Sequence, residues 1–95
     1  MSRRLLATRR LIPLDRLEDY LAGWETLRDA AERAGARAWM FRGTDHQDHF
    51  IEFLEWQDEG GPALPERAEI ATARRGLDET FGAGHVDEWE EVQGV

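Results

Sequence analysis

Cysteine, lysine and asparagine are all missing from this chain of 95 residues. Without cysteine there are no disulfides, no thiolate nucleophile and no Cys-ligated metal, and an unstapled small domain fits a reducing cytosol better than an extracellular space. Without lysine there is no Schiff-base chemistry. All twelve basic residues are arginine, a bias that fits a GC-rich bacterial genome better than selection for guanidinium recognition. No apolar run approaches the length of a membrane span or a signal-peptide core, and the pair Arg3-Arg4, followed by Leu-Leu-Ala-Thr, is not an export signal. A cytoplasmic location is therefore expected. Positive charge is scarce as well: the formal net charge is −8, which excludes nucleic acid and anionic membrane surfaces as expected partners, since both need a positive field opposite their phosphates.

What remains is a chain of one domain, residues 1–95. At this size folding hides only roughly 60 to 65% of the surface, so the core is thin unless a second chain adds to it. The most apolar and aromatic stretch is Asp48 to Gln57 (Asp-His-Phe-Ile-Glu-Phe-Leu-Glu-Trp-Gln), the strongest strand signal in the sequence. Leu5 to Ile12 reads as a first strand ended by Pro13. Asp15, with Glu18 three residues on, has the spacing of a helix N-cap and capping box. Leu17, Tyr20, Leu21, Trp24, Leu27, Ala31 and Ala34 then recur at three- and four-residue intervals, one apolar helical face closed by Gly35. Ala36 to Arg42 resumes strand character and pairs with the central strand through the polar turn Gly43 to Asp48. After a loop containing Gly60-Gly61-Pro62, Pro65 suits the first turn of a second helix bearing Ile70, Ala73, Leu77 and Phe81, which Gly82 and Gly84 close. Val86 to Val92 predicts a short last strand with one anchor on each face.

The order β-α-β-β-α-β predicts an α+β ferredoxin-like sandwich, an antiparallel four-stranded sheet with both helices on one face. Arg3, Arg4, Arg9 and Arg10 crowd the first strand while Glu88, Glu90 and Glu91 crowd the last, as complementary neighbours would. Both faces of the sheet are apolar: Trp39 and Phe41 oppose Ala38 and Met40, and Ile51 and Phe53 oppose Phe50, Leu54 and Trp56. Helices can cover only one face, and the other exceeds the apolar patch a soluble monomer usually exposes. A homodimer is expected, with a two-fold copy packed on the second face.

With that order and the segment Phe53-Leu54-Glu55-Trp56, the chain resembles the dimeric α/β-barrel superfamily, which includes antibiotic-biosynthesis monooxygenases and haem-degrading enzymes. The resemblance covers nearly the whole chain in element order. It implies two facing sheets, pockets between sheet and helices for small hydrophobic or aromatic molecules, and a role for Trp56 as the third-strand tryptophan. Two departures matter. The monooxygenase-like histidine soon after that tryptophan has no counterpart between His49 and His85, and the haem-degrading members' first-strand asparagine cannot be present. Haem degradation is disfavoured, and no cofactor is expected.

The candidate pocket residues are Tyr20, Trp39, Arg42, Glu52 and Trp56. Glu52 alternates with Phe50 and Leu54 on an otherwise apolar face; buried there it would be a candidate general acid or base, although a salt bridge to an arginine of a neighbouring strand or of a partner subunit is the preferred reading. The four tryptophans could stack a flat ligand or simply fill core and interface. His46 and His49, with Asp45 and Asp48, suggest a metal site, but a strand or turn does not align that spacing as a helix would, so no metal is expected. His49 and His85 are the available proton carriers near neutral pH. No catalytic residue is assigned. The functional expectation is a small-molecule binder or monooxygenase-like enzyme, with a non-catalytic ligand-binding or dimerisation module as the alternative.

Overall fold

The computed structural model describes residues 2–92. Four strands, β1 (Ser2–Leu11), β2 (Arg37–Arg42), β3 (His49–Asp58) and β4 (His85–Glu90), and two helices, α1 (Leu17–Arg33) and α2 (Ala68–Phe81), follow in the order β1-α1-β2-β3-α2-β4. The strands form one sheet in the order β2-β3-β1-β4, antiparallel throughout. This is the ferredoxin-like α+β fold.

Alternation along the strands decides which side chains meet the helices. On β1, Leu6, Thr8 and Arg10 are buried, and on β3, Phe50, Glu52, Leu54 and Trp56. These face Tyr20, Trp24, Leu27, Ala30 and Ala31 of α1 and Ile70 and Leu77 of α2, and together with Ile12 and Leu64 they make the core. The opposite parity, Leu5, Trp39, Phe41, Ile51, Phe53 and Trp89, lies on the side away from the helices, where Phe41 and Trp89 are each 57% exposed. Trp39 stacks on Phe53 at 5.8 Å between ring centroids, and Phe41 meets Phe53 edge-on at 5.8 Å.

The central β1 is longer than its apolar run. Ser2, Arg3 and Arg4 pair with Asp58, Gln57 and Trp56, and on the other side Arg4 pairs with Glu90. The arginine-rich and glutamate-rich strands are thus neighbours: Arg4 lies 3.6 Å from Glu88, 3.3 Å from Glu90 and 3.2 Å from Asp58, and Arg3 pairs with Glu91. Such half-exposed pairs are worth about 1 kcal/mol or less each, so they set register more than stability.

The helix starts depart from expectation. Asp15 does not cap α1; it lies inside a 3-10 turn, Leu14–Arg16, that Pro13 (φ −57°) leads into, and no side chain caps the helix. Pro65 likewise sits in a 3-10 turn, Leu64–Glu66, separated from α2 by the extended Arg67 (ψ 139°). In each case the fixed proline torsion starts a tight turn that prefaces the helix. Leu21 is exposed and Ala30 buried in its place, because the α1 stripe is narrower than its hydrophobic count implies. On β4 both expected anchors are exposed: Val86, on the helix side opposite Thr8, lies on an edge strand beyond the reach of either helix, and Trp89, opposite Leu5, lies on the uncovered face.

Gly84 is held to glycine by its torsion and by close approach together. Gly84 has φ +69°, and a Cβ there would lie 2.5 Å from the Arg9 carbonyl oxygen and 3.2 Å from Arg10 Cγ. Gly84→Ala is expected to destabilise the fold by roughly 2 kcal/mol or more, a fall in Tm of about 10 °C at this chain length. Gly35, at φ +85°, has open space around it, and a Cβ there would meet no atom within 4 Å, so the same substitution should cost less. Thermal unfolding of the two variants side by side checks the ranking.

Candidate functional site

Two strand-borne charges point into the core. Glu52 of β3 occupies the inward parity between Phe50 and Leu54, and Arg10 of β1 occupies the inward parity after Leu6 and Thr8. Thr8, not Arg10, is the direct cross-strand partner of Glu52, so the two charges meet diagonally, within reach of long side chains. Arg10 Nε donates to Glu52 Oε2 at 2.8 Å, and the Tyr20 hydroxyl donates to the same oxygen at 2.5 Å. The rest of the guanidinium is also engaged: Nη1 donates to the Gly82 carbonyl at 2.5 Å and Nη2 lies 2.9 Å from Asp78 Oδ1. Side-chain exposure of Arg10 and Glu52 is 2% and 4%. The sequence-level preference for an arginine of a neighbouring strand as the partner of Glu52 is met, and the arginine is Arg10.

Burial works against the Arg10 charge, but Glu52 and then Asp78 outweigh it and raise its pKa. Tyr20 is pushed far above the ordinary phenol value, first by burial and then by the negative charge of Glu52, with Arg10 opposing only in part. Tyr20 is therefore a neutral donor at any pH near neutrality. A carboxylate oxygen that accepts from both Arg10 and Tyr20 serves as a brace between β1, β3 and α1.

Beside this brace, at the end of the sheet where β1 finishes and β3 and β4 begin, lies an open cavity of about 570 Å³, a size typical of small-molecule sites. Leu11, Phe50, Ile51 and Phe81 supply its apolar lining, Arg9, Arg10 and Arg42 its cationic one, and His49 and His85 its titratable side chains. Phe50 and Phe81 are held edge-on to Tyr20, at 5.2 and 5.4 Å between centroids, so the aromatic wall is fixed by the residue that hydrogen-bonds Glu52. A second, larger groove of about 720 Å³ runs between α1 and α2, lined by Gly23, Thr26, Thr72 and Gly76 among others; it has no histidine and no ring except Phe81.

The five candidate pocket residues fall in different places. Arg42 lines the cavity, its guanidinium 5.2 Å from the Phe50 ring centre and its Nε donating to the Gln47 carbonyl at 2.9 Å. Tyr20 and Glu52 stand behind the cavity wall, hydrogen-bonded to each other. Trp56 borders a separate hollow of about 200 Å³ at the far end of β3. Trp39 is on the other face of the sheet, beside a hollow of about 280 Å³ shared with Glu55 and Trp89. Sequence reasoning missed Arg10, Asp78, Phe50 and Phe81 as parts of the site. The signal for Arg10 was legible: an arginine on the inward parity of β1 is as odd as Glu52 on β3, and two such oddities on adjacent strands form a pair.

The histidine turn is also different. The rings of His46 and His49 approach to 4.8 Å between centroids, because the His49 amide donates to the His46 carbonyl at 3.1 Å and folds the turn back on itself. Among the described residues no group of three or more His, Cys, Asp or Glu side chains is placed to hold a metal ion, and no helix is long and apolar enough to cross a membrane.

No protein-family model matches the chain, and no curated protein does so. Solved structures do. A proposed antibiotic biosynthesis monooxygenase of Bordetella bronchiseptica superposes with a TM-score of 0.72 at 18% identity over 97% of this chain and 99% of that one. Another, from Nitrosomonas europaea, gives 0.70 at 13% over 94% and 88%, and a conserved protein of Methanosarcina mazei gives 0.76 at 11% over 94% and 92%. At these identities the likeness is one of fold, the ferredoxin-like fold of antibiotic-biosynthesis-monooxygenase-like proteins.

Tyr20 is the sole tyrosine, so its environment can be read directly. Alkaline titration followed by phenolate absorbance should show no ionisation near pH 10, the ordinary value, and a phenolate signal only as the protein unfolds. The sign follows from a folded pKa above the unfolded one: the stabilising contribution is complete below about pH 10 and is lost as pH rises above it. A reversible transition near pH 10 in the folded protein would mean that the hydroxyl is solvated. Tyr20→Phe, which strips Glu52 of one buried donor, should cost roughly 1 to 3 kcal/mol.

Proposed function

We propose that this protein binds a small aromatic molecule in the cavity at the end of the sheet, as a homodimer, and oxidises it in the manner of a cofactor-free monooxygenase. The observation that carries the reading is the convergence, in one cavity of about 570 Å³, of a fixed aromatic wall with His49 and His85. A flat ligand packs against the cavity-facing parts of Phe50 and Phe81. A histidine beside an acidic C–H group of that ligand can accept its proton, and the resulting carbanion is open to dioxygen. In balance, a methylene R–CH2–R′ and one O2 give the ketone R–CO–R′ and one water, one oxygen atom entering the product. The names of the neighbouring structures support the choice of reaction. Glu52, bound by Arg10 and Tyr20, is the brace and not the base.

The homodimer rests on the uncovered face. Trp39, Phe41, Ile51, Phe53 and Trp89 form an apolar surface on a chain whose core is otherwise on the other side, and its simplest cover is a second copy of the same face. That copy would also wall the cavity, since Arg9, Leu11 and Ile51 belong to both. Sedimentation of the purified chain should give twice the chain mass, and Phe53→Lys, which puts a charge in the middle of the face, should give a folded monomer. A wild-type monomer at micromolar concentration overturns the dimer.

Anthrone, a planar C–H acid, tests the activity through oxygen uptake and formation of the ketone. The wild type is expected to consume one O2 per ketone formed. The double variant His49→Ala/His85→Ala, both side chains being exposed, should retain Tm and slow turnover roughly 100-fold. A second reading, a non-catalytic ligand-binding module, is favoured by the commitment of the buried Glu52 carboxylate, through Oε2, to Arg10 and Tyr20; tight binding of anthrone without oxygen uptake would establish it over the enzyme.

A further inference from the structure

We infer that the ligand of this cavity is an anion, a planar aromatic carboxylate, which Arg9 and Arg42 select; this rests on the reading of the cavity as a ligand site. The argument is a balance of charges around one space. The chain as a whole carries −8, yet no carboxylate lines the cavity, while three arginines do. Arg10 is already engaged: Glu52, Asp78 and the Gly82 carbonyl take its donors. The two histidines have company as well, Asp48 lying 3.8 Å from His49 and Asp87 lying 3.3 Å from His85. Arg9 and Arg42 differ from all of these, for among the described residues neither enters an ion pair with an acidic side chain. Arg42 has only its Nε committed, to the Gln47 carbonyl, which leaves both terminal nitrogens to donate.

Their positions make the surplus charge local. Arg9 lies opposite Ile51 on one side and His85 on the other, on the uncovered face of the sheet, and Arg42 lies opposite Phe50 at the end of β2, over the Phe50 ring. The two guanidiniums therefore flank the aromatic wall from different faces of the sheet at the same end. A guanidinium offers paired parallel donors that match a carboxylate, and a ring against Phe50 and Phe81 supplies the apolar part of the contact. At long range the net charge of −8 repels anions. An anionic ligand gains nothing from the bulk charge, so any preference for it must come from this cavity.

The test compares 2-naphthoate with its uncharged isostere 2-naphthamide by calorimetry in low salt. Naphthoate should bind at least tenfold tighter than naphthamide, with the gap narrowing in high salt. Arg42→Gln and Arg9→Gln should each weaken naphthoate about five- to tenfold and naphthamide by far less, lowering the ratio between them, while Arg75→Gln, on the exposed side of α2, should change neither. Equal affinity for the two probes, or an Arg9 and Arg42 series that leaves their ratio unmoved, overturns the anion inference while the cavity stands as a site. Binding of neither probe overturns the site itself and this inference with it.

Discussion

The buried ion pair between Arg10 and Glu52 is the constraint on which the rest of the molecule depends, because it is the one interaction that touches nearly every element. Arg10 stands on β1, Glu52 on β3, Tyr20 on α1 and Asp78 on α2, and the Gly82 carbonyl begins the connection to β4. Removing one member of a buried pair strands the other's charge and costs on the order of 3 to 5 kcal/mol, whereas replacing both with well-packed apolar groups is often neutral. The pair thus contributes geometry more than net stability. With Nη1 on Gly82, Nη2 on Asp78 and Tyr20 against Phe81, it fixes the end of α2 relative to β1. That end supplies Phe81, Gly84 and His85 to the cavity, so the brace shapes a site whose ligand it need not touch.

Burial of a carboxylate would ordinarily mark a catalytic acid or base, and here the partners decide otherwise. A general base needs a lone pair aimed at substrate. Glu52 Oε2 accepts from both Arg10 and Tyr20, and Phe50 lies between the carboxylate and the open end of the sheet. Tyr20, held neutral, donates inward to Glu52. In the proposed reaction, proton transfer would fall to the exposed His49 and His85, which line the cavity without being braced as Glu52 and Tyr20 are.

Much of the architecture was legible because it depends on local rules. Period-two alternation on β3 placed Glu52, Phe50 and Leu54 on one face and Ile51 and Phe53 on the other, as found, and the charge contrast between Arg3, Arg4 and Glu88, Glu90 anticipated the β1-β4 pairing. Element order then left little choice of sheet. The candidate site was legible only in pieces. Tyr20 and Glu52 do meet, yet Trp39 and Trp56 lie on another face and at another end, because aromatic content says nothing of which end of a strand closes a cavity. That depends on where α2 stops, and α2 stops where Gly82 takes φ +92° and its carbonyl accepts from Arg10, a contact between residues 72 apart in sequence. Helix starts were misplaced for a similar reason: Asp15 satisfied a capping pattern, but the torsion imposed by Pro13 acted first.

The two apolar features of the molecule are best understood together. A four-stranded sheet with helices on one side must bury or expose its other side, and this chain places Trp39, Phe41, Phe53 and Trp89 there, with Arg9 and His85 at one end of the strands, Glu55 at the other, and Asp87 between on the edge strand β4. A second copy packed over the aromatic middle would remove that surface from water at roughly 25 cal/mol per Å², and the charged ends would remain at its margin. The cavity sits at the arginine end. Dimerisation would then do more than stabilise a thin core: it would turn an open hollow into an enclosed one, strip water from around Arg9 and strengthen its attraction for a bound anion as the local dielectric falls. Assembly and recognition would be two consequences of the same uncovered face.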